Sequence, residues 1–506
     1  MAIDLSKPGL IVAVIGAGAM GRGIAQVCAQ AGMQTLLFDA RDGAVAEALT
    51  AVGKGLDGQV AKGRMSADDK AALMGRLKPI ASLADVAPAG LVIEAIVEDL
   101  GVKRDLLRTL EEHLAADAVI ATNTSSLSVT EIAAGCQHPQ RVGGLHFFNP
   151  PPVMKLVEVI GGLRGDPTLA DALVAFSRRI GKQPVVATDT PGFVVNHAGR
   201  AYGPEALRIV AQGIASPSEV DALMKEAAGF RMGPFELLDL IGADVSHAVM
   251  ESIFTRYYDE PMYQPSAQMA VRVAGGLLGR KSSRGFYDYA KTPAASAPTI
   301  AVEVQLKPAS VWIADEDGGR ELAALLNASG IHTTVGGTLD TRALCMVTPL
   351  GEDCTSAAIR LKLDPARTVA VDRFGRFKAR FTVMKNPLTA PDVLGAAVAA
   401  LAATGGSVTA INDSTGFVVQ RLLAMIVNVG TRIAELRVAK PDDIDTAVEL
   451  GLNYPKGPLG LGDLLGPARV LAVLDAMQAA THDPKYRATA WLRRRAQLGV
   501  SLRTPD

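Results

Sequence analysis

Residues 10–39 read LIVAVIGAGAMGRGIAQVCAQAGMQTLLFD, and this stretch decides the fold of the first half of the chain. It begins with LIVAVI, a continuous run rich in β-branched residues, which is typical of a strand buried on both faces of a parallel sheet. The turn GAGAMG leads into the helical pattern RGIAQVCAQAG, after which QTLLFD predicts a second strand. This order of strand, glycine turn, helix and strand predicts a βαβ unit that binds a dinucleotide.

The residues of this unit indicate which dinucleotide is bound. Gly16 permits the tight turn, Gly18 lets the backbone approach a pyrophosphate, and Gly21 lets the helix pack closely on the strand. Asp39 stands about 20 residues beyond the turn, where a carboxylate binds the adenosine ribose and repels a 2′-phosphate. We therefore predict NAD rather than NADP, although Arg41 weakens this preference because an arginine there can accommodate a phosphate.

Composition excludes other classes of function. The 506 residues suffice for two to four domains, and 51 basic against 52 acidic residues create no global field that would recruit nucleic acid or an anionic membrane. The four cysteines form no CxxC pair and no cluster with metal-ligand spacing, so we predict reduced thiols and no metal site. The sequence shows no secretory signal pattern and no apolar run long enough to span a bilayer, which predicts a cytoplasmic protein.

Polar residues end three later apolar runs, at 91–98, 118–126 and 141–150. The carboxyl ends of parallel strands line the ligand crevice of a doubly wound sheet, so we expect these residues to gather beside the nicotinamide. They are Glu98, Asn123, Ser125, His146 and Asn149.

His146 is the candidate general base, because alcohol oxidation requires removal of the hydroxyl proton and an imidazole titrates near neutrality. The PPP at 150–152 forces a turn, after which a returning strand would carry Glu158 beside His146. A packed histidine and a solvated strand carboxylate are the alternatives for these two residues.

Six blocks give the chain a specific resemblance: GAGAMGRGIAQ, VIEAIVEDLGVK, TNTSSLSVTEIA, GLHFFNPPPVMKLVEVI, TDTPGFVVN and GPFELLDLIG. Over about residues 9–290 the chain resembles the 3-hydroxyacyl-CoA dehydrogenase family, in which these blocks occur in the same order. The resemblance implies NAD-dependent oxidation of (S)-3-hydroxyacyl-CoA to 3-oxoacyl-CoA, in fatty acid or in aromatic and dicarboxylic acyl-CoA catabolism. The long form is similar to bacterial members that act on 3-hydroxybutyryl-CoA or 3-hydroxyadipyl-CoA.

The resemblance also implies roles for single residues. His146 would be the general base, Glu158 its orienting carboxylate, and Ser125 and Asn196 would position the substrate hydroxyl and thioester. The implied cofactor contacts are Gly16, Ala17, Gly18, Ala19, Met20, Gly21, Asp39, Glu98, Lys103, Ser125, Asn149 and Lys281.

Five positions concern the fit to the family's pattern and to its substrate site. Lys62 matches the family's basic CoA residue, whereas Gly55 stands where a nearby serine is usual. His197 stands where members commonly have arginine. A terminal carboxylate on the acyl chain would need a basic residue such as Arg200 or Arg231, although either is more often a solvated helix residue.

The chain also resembles itself. Residues 188–242 align without a gap on 412–466, and both copies carry helical periodicity and helix-start signals. We therefore expect two similar helical domains. In the family such domains associate across a dimer, so we predict an intramolecular pseudo-dimer in a chain that is a monomer or a homodimer.

Residues 308–411 predict a shortened α/β segment without the glycine turn. Its alignment on the first copy puts Gly351 at the position of Ser125, Asp372 at that of His146 and Gln420 at that of Asn196, with the counterpart of Glu158 near Met384. This copy is expected to be catalytically silent. A coincidental α/β pattern is the alternative interpretation.

The predicted fold class is thus α/β: a Rossmann-type doubly wound parallel sheet, an all-helical domain, a degenerate second α/β segment and a second helical domain. The predicted boundaries are 1–187, 188–292, a linker at 293–307, 308–411 and 412–506. Two rival functions stay open at this point: a dehydrogenase of a non-CoA 3-hydroxy acid, and an NAD-sensing or scaffolding module.

Overall fold

The computed structural model describes residues 3–290, 310–340, 342–375 and 379–506. The strands of the first half are β1 (Val12–Ile15), β2 (Thr35–Phe38), β3 (Leu77–Pro79), β4 (Leu91–Glu94), β5 (Val119–Thr122), β6 (Val142–Phe147), β7 (Leu156–Gly161) and β8 (Gln183–Thr188). Its helices are α1 (Ala19–Gln30), α2 (Ala44–Ala61), α3 (Ala67–Arg76), α4 (Leu100–His113), α5 (Val129–Ala133), α6 (Leu169–Arg179), α7 (Val195–Ala198), α8 (Tyr202–Ala211), α9 (Pro217–Ala222), α10 (Pro234–Ile241), α11 (Ala243–Arg256) and α12 (Ala267–Ala274).

The first sheet has the order β3-β2-β1-β4-β5-β6-β7-β8. Its neighbours run parallel except β6 and β7, which are antiparallel. Alternate residues of β1 enter different apolar cores, Val12 and Val14 one and Ala13 and Ile15 another, so both faces of the sheet are covered. The strand order reverses between β1 and β4, which is where doubly wound sheets bind their ligands.

The second half adds a smaller sheet and more helices. Its strands are β9 (Val311–Ile313), β10 (Thr333–Val335), β11 (Leu344–Val347), β12 (Thr368–Val371), β13 (Arg380–Lys385) and β14 (Ser407–Ile411). Its helices are α13 (Gly319–Ala328), α14 (Cys354–Arg360), α15 (Pro391–Ala402), α16 (Val418–Glu435), α17 (Pro441–Leu452), α18 (Pro458–Leu465), α19 (Pro467–Thr481) and α20 (Ala490–Leu498).

The second sheet has the order β10-β9-β11-β12-β13-β14 and repeats the tail of the first. In both sheets an antiparallel pair, β6 with β7 and β12 with β13, is followed by a parallel last strand. The predicted fold class, with a degenerate α/β segment before the second helical region, is confirmed.

One predicted correspondence between the copies is wrong. His146 lies opposite Glu158 in the first sheet, whereas Asp372, which follows β12, lies opposite Thr382, whose carbonyl accepts a hydrogen bond from the Asp372 amide. The counterpart of Glu158 is therefore Thr382 and not Met384. The spacing from Asp372 to Thr382 is two residues shorter than that from His146 to Glu158, which shifts the alignment between the two positions.

The chain divides into two compact units, one made of Met1–His197 with Leu436–Leu452 and the other of Ala198–Glu435 with Asn453–Asp506. The first unit thus holds the first sheet together with α17, which lies against β7 and β8. In the second unit the buried helix α16 packs against α8, α18, α19 and α20. The predicted linker at 293–307 lies outside the described residues. Within the described ranges, each helix is too short or too polar to cross a lipid bilayer.

Candidate active site

The glycine turn after β1 leaves no room for side chains. Gly16 has φ of 104°, and a Cβ there would lie 2.4 Å from the carbonyl oxygen of Ala95. A Cβ on Gly21 would lie 1.7 Å from the carbonyl oxygen of Gly16. Helix α1 begins directly after Gly18 with no side-chain cap, so its first amides and its positive dipole end are suited to a phosphate.

Asp39 ends the second strand beside this turn. One carboxylate oxygen accepts a hydrogen bond from the Ala17 amide at 2.7 Å and the other accepts one from the Arg41 amide at 2.8 Å. The Arg41 guanidinium is turned to Glu47, with contacts of 3.0 and 2.6 Å. Arg41, which weakened the preference for NAD, is therefore already paired with Glu47 and is less suited to bind a 2′-phosphate.

A cavity of about 630 Å³ lies beside Asp39 and the glycine turn. Its walls combine Gly16, Gly18 and Asp39 with apolar side chains of the β4–α4 region. This volume and lining suit an adenosine moiety. Sequence reasoning missed the apolar part of the wall, because it considered only the polar residues that end the strands; the apolar residues come from the segment before β4, the β4–α4 loop and α4: Leu83, Ile96, Val97, Val102 and Leu106.

His146 and Glu158 face each other across the antiparallel pair β6–β7. The Nδ1 of His146 lies 2.6 Å from Oε2 of Glu158, and both side chains are buried. The other carboxylate oxygen, Oε1, accepts hydrogen bonds from the Val194 and Val195 amides, both at 2.9 Å. Phe193, in the preceding turn, has φ of 46°, a strained value for a bulky residue. The carboxylate is thus fixed on both oxygens.

Aromatic rings surround the imidazole of His146. The ring of Phe148 lies 4.4 Å and that of Phe193 5.9 Å away, centroid to centroid. These rings limit the access of water and hold the imidazole in its plane. Sequence reasoning did not single them out, although both stand in the quoted blocks, next to residues that it did.

Ser125 and Asn196 lie close to this pair. The Asn196 side-chain amide donates to the Ser125 carbonyl at 3.3 Å, and Asn196 directly follows Val195, whose amide binds Glu158. The structure therefore brings the four predicted catalytic residues into one connected group. Asn123 has a structural contact as well, since its side chain accepts from the Phe147 amide at 2.8 Å. Asn149 is exposed just beyond β6.

Glu98 and Lys103 flank the Ser125 loop in different environments. Lys103 is almost fully covered, and its ammonium lies 2.6 Å from Glu94 and 3.2 Å from Glu98. Lys103 is thus linked to the Ser125 loop by its ion pair with Glu98. Burial raises the pKa of Glu98, but a hydrogen bond from Thr124 and the charge of Lys103 outweigh it and lower the pKa overall.

The remaining predicted residues lie farther from this group along the chain. Lys62 is exposed at the end of α2, and Gly55 is exposed two turns earlier on the same helix. Lys281 belongs to the second unit, where it pairs with Asp244. Of the two arginines considered for a terminal carboxylate, Arg231 is exposed and Arg200 is buried, and burial lowers the pKa of Arg200 to about 10.

Family models match most of the chain. The NAD-binding domain of 3-hydroxyacyl-CoA dehydrogenase matches residues 11–190, and its C-terminal domain matches twice, at 192–289 and 416–504.

Two of the following three similar proteins cover nearly the whole chain, and the other covers its first half. The 3-hydroxyadipyl-CoA dehydrogenase of Escherichia coli K12 is 38% identical over 96% of this chain and 97% of its own. The human mitochondrial hydroxyacyl-coenzyme A dehydrogenase is 41% identical over 55% of this chain and 90% of its own. A crystal structure of 3-hydroxybutyryl-CoA dehydrogenase from Escherichia coli K12 superposes with a TM-score of 0.87 at 37% identity, over 97% of this chain and 99% of that one.

These matches agree with the glycine turn, the acidic residue after β2 and the cavity between them, which fit NAD. The protein therefore belongs to the 3-hydroxyacyl-CoA dehydrogenase family, whose members oxidise 3-hydroxyacyl-CoA with NAD.

Proposed function

We propose that His146 is the general base of this oxidation and that Glu158 orients it. The 2.6 Å contact between His146 Nδ1 and Glu158 Oε2 carries the proposal. Because Nδ1 donates its proton to the carboxylate, Nε2 is left as an acceptor for the substrate hydroxyl proton. Bound NAD would supply the hydride acceptor for the carbon that bears this hydroxyl. The charge of Glu158 then stabilises the imidazolium that forms.

Ser125 and Asn196 position the substrate in this proposal. Their contact at 3.3 Å, together with the link from Val195 to Glu158, supports a common site with His146. A hydroxyl and a side-chain amide are the groups needed to bind the substrate hydroxyl and the thioester carbonyl. The cofactor contacts of the glycine turn, Asp39, Glu98, Lys103, Asn149 and Lys281 belong to the same proposal.

Replacement of His146 by Gln tests the general base. We expect turnover of 3-hydroxyacyl-CoA to fall by about 10²- to 10⁴-fold. NADH binding, followed by its fluorescence, is expected to stay close to native. The exposed His138 of the same unit provides the control, His138→Gln, which is expected to leave both unchanged. Near-normal turnover of His146→Gln would remove the mechanism.

The CoA moiety distinguishes this proposal from a dehydrogenase of free 3-hydroxy acids. We expect the CoA ester to be preferred and Lys62→Ala to raise KM with little change in kcat, because a remote phosphate contact contributes equally to ground and transition states. Lys54→Ala, at another exposed position of α2, is the control. A free acid that turns over faster than its CoA ester would favour the rival substrate class.

For the acyl group we propose a short chain that ends in a carboxylate. Support comes from the relative named 3-hydroxyadipyl-CoA dehydrogenase, and Arg200 is the buried one of the two arginines considered for that carboxylate. The test is a panel of 3-hydroxyacyl-CoA esters of four to eight carbons with and without an ω-carboxylate. We expect the carboxylated esters to have the higher kcat/KM, and Arg200→Met, but not Arg231→Met, to remove that preference. Equal rates for plain esters would overturn this assignment.

We propose that the second copy is catalytically silent. In place of the phosphate-binding turn it carries Asp315, Glu316 and Asp317, of which Asp317 pairs with Arg469 of α19 at 2.5 Å. A Cβ on Gly351, the counterpart of Ser125, would lie 2.4 Å from a carbonyl oxygen of α19, so this helix covers the loop directly. The side chain of Gln420 bonds to the Gly351 amide and to Asp372, which further occupies the counterpart groups.

We also propose that the two copies form an intramolecular pseudo-dimer. In the first unit the Thr188 amide donates to the Val438 carbonyl at 2.8 Å, and in the second the Asn412 amide donates to the Ile214 carbonyl at 3.1 Å. In the alignment of the two copies Thr188 corresponds to Asn412 and Ile214 corresponds to Val438. Each copy therefore donates one of these hydrogen bonds and accepts the other. The residue at the end of each sheet's last strand is thus hydrogen-bonded to chain from the other copy, which supports an exchange of the kind found in a swapped dimer.

The mass in solution and the number of sites test the pseudo-dimer. We expect one NADH bound per 52.8 kDa chain and no need for a second chain in activity at high dilution. Loss of activity on dilution, with a shift to a smaller particle, would contradict it.

The predicted domain boundaries at 187, 292, 308 and 411 belong to this proposal, and limited proteolysis at those positions would test them.

A further inference from the structure

Glu94 is a buried carboxylate that no proposed step uses. It ends β4, is fully covered, and receives three hydrogen bonds from its own unit. Its Oε1 accepts from the Lys103 ammonium at 2.6 Å and from the Ile96 amide at 2.8 Å, and its Oε2 accepts from the Thr122 hydroxyl at 2.7 Å.

Lys103 connects Glu94 to a second carboxylate. Its ammonium lies 3.2 Å from Oε2 of Glu98, so it contacts both acids but is closer to Glu94. The ammonium is almost entirely shielded from water, and water therefore cannot replace either partner. Its position between the two acids depends on the balance of their charges.

Glu98 in turn holds the Ser125 loop. Its Oε1 accepts four hydrogen bonds from three successive residues. The donors are the Thr124 hydroxyl at 2.6 Å, the Ser125 amide at 3.0 Å, the Ser126 amide at 3.1 Å and the Ser126 hydroxyl at 3.0 Å. Hydrogen bonds to an ionised carboxylate are stronger than those to a neutral oxygen, and a stronger ion pair at Oε2 competes with these four donors for the position of the carboxylate.

We propose that Glu94 is a positioning residue, which holds the ammonium of Lys103 back from Glu98 so that Glu98 keeps the Ser125 loop in its reactive place. The inference rests on the proposed role of Ser125 in binding the substrate. Without the charge of Glu94, the ammonium turns fully to Glu98. The strengthened ion pair then draws that carboxylate away from the loop donors.

Glu94→Gln isolates the charge from the shape. The amide oxygen can still accept from the Ile96 amide, but it holds the Lys103 ammonium more weakly than a carboxylate does, and the amide nitrogen can donate to the Thr122 hydroxyl, which reverses that bond. We expect the backbone amides of Ser125 and Ser126 to exchange hydrogen about 10-fold faster, since one charge-assisted hydrogen bond is at stake. We expect kcat/KM for 3-hydroxyacyl-CoA to fall by a similar factor.

Glu111→Gln is the matched control. Glu111 is a buried carboxylate of the same unit on α4, near Arg141 at 3.7 Å, and accepts the Gln137 and His138 amides. This variant also removes a buried charge, but the contacts of Glu111 with Arg141, Gln137 and His138 lie outside the Ser125 loop. It is expected to leave exchange at Ser125 and Ser126, and kcat/KM, at native values.

The double variant Glu94→Gln/Lys103→Met separates positioning from general loosening. Once the ammonium is absent nothing draws Glu98 from the loop, so exchange at Ser125 and Ser126 is expected to return toward the native rate. A purely structural role predicts that the double variant exchanges at least as fast as the single one, and that result would overturn the proposal. Native exchange in Glu94→Gln would overturn it too.

Hydrogen exchange also separates this inference from the proposed function. Faster exchange with unchanged kcat/KM would refute both the positioning role and the role of Ser125, while the His146→Gln result would still decide the general base. Slow turnover of His146→Gln with native exchange in Glu94→Gln would refute only the positioning role.

Discussion

Replacement of Glu158 by Gln is expected to reverse the tautomer of His146. Oε1 of Glu158 is fixed by two backbone N–H donors, those of Val194 and Val195, so the amide oxygen of a glutamine must take that place. Its NH₂ group then occupies the place of Oε2, 2.6 Å from Nδ1 of His146, and offers a proton where the carboxylate accepted one. Nδ1 becomes the acceptor and Nε2 carries the proton, so Nε2 cannot take one from the substrate.

The expected loss is about 10⁴-fold in kcat, or about 5.5 kcal/mol, as found for the same exchange of acid for amide beside a serine-protease histidine. Glu158→Ala is expected to be less harmful to kcat than Glu158→Gln, because an imidazole without a partner can adopt either tautomer. Its stability is expected to be lower, since the Val194 and Val195 amides lose their acceptor at about 1–3 kcal/mol each.

Steady-state rates with NAD and 3-hydroxybutyryl-CoA measure kcat of the three proteins. Urea unfolding followed by circular dichroism measures their stability. The expected order of kcat is native, Ala, Gln, and the expected order of stability is native, Gln, Ala. A Gln variant with more than a tenth of native kcat would refute the tautomer argument, as would an Ala variant slower than the Gln variant. NADH affinity is expected to be native in both, since neither change touches the glycine turn.

Three further perturbations address the rest of the molecule. Glu205→Gln leaves the buried cations Arg421 and Lys485 without their carboxylate. It is expected to lower the free energy of unfolding by about 3–5 kcal/mol in urea titrations. Burial raises the pKa of Glu205 but those cations lower it overall, so native stability is expected to fall as pH drops below about 4.3, and this fall is expected to be smaller in the variant. Gly16→Ala, with a Cβ 2.4 Å from a carbonyl oxygen, is expected to abolish NADH binding in fluorescence titrations. Gly351→Ser is expected to lower Tm without restoring activity to the second copy, and native Tm would contradict its close contact with α19.

Much of the first unit could be predicted from local sequence. The run before Gly16 forms β1, the periodic stretch after it forms α1, and Asp39 ends β2, because each of these elements is specified by residues near one another in the chain. The placement of Glu158 beside His146 was expected from the turn at 150–152 and a returning strand, and the two residues are paired in the sheet. The repeat was equally visible, since an alignment needs no knowledge of contacts.

Other features depend on contacts between distant segments. The ion pair of Glu94 with Lys103, the two backbone amides that fix Glu158 and the hydrogen bond from Thr188 to Val438 have no local signature. The wrong prediction of Met384 instead of Thr382 has the same origin, because a two-residue difference in the spacing between paired strand positions leaves the strand periodicity unchanged. Short-range periodicity and turn chemistry are encoded in neighbouring residues, whereas the pairing of a buried charge depends on which distant side chain the packed sheet brings within hydrogen-bond reach, and that is decided only in the tertiary structure.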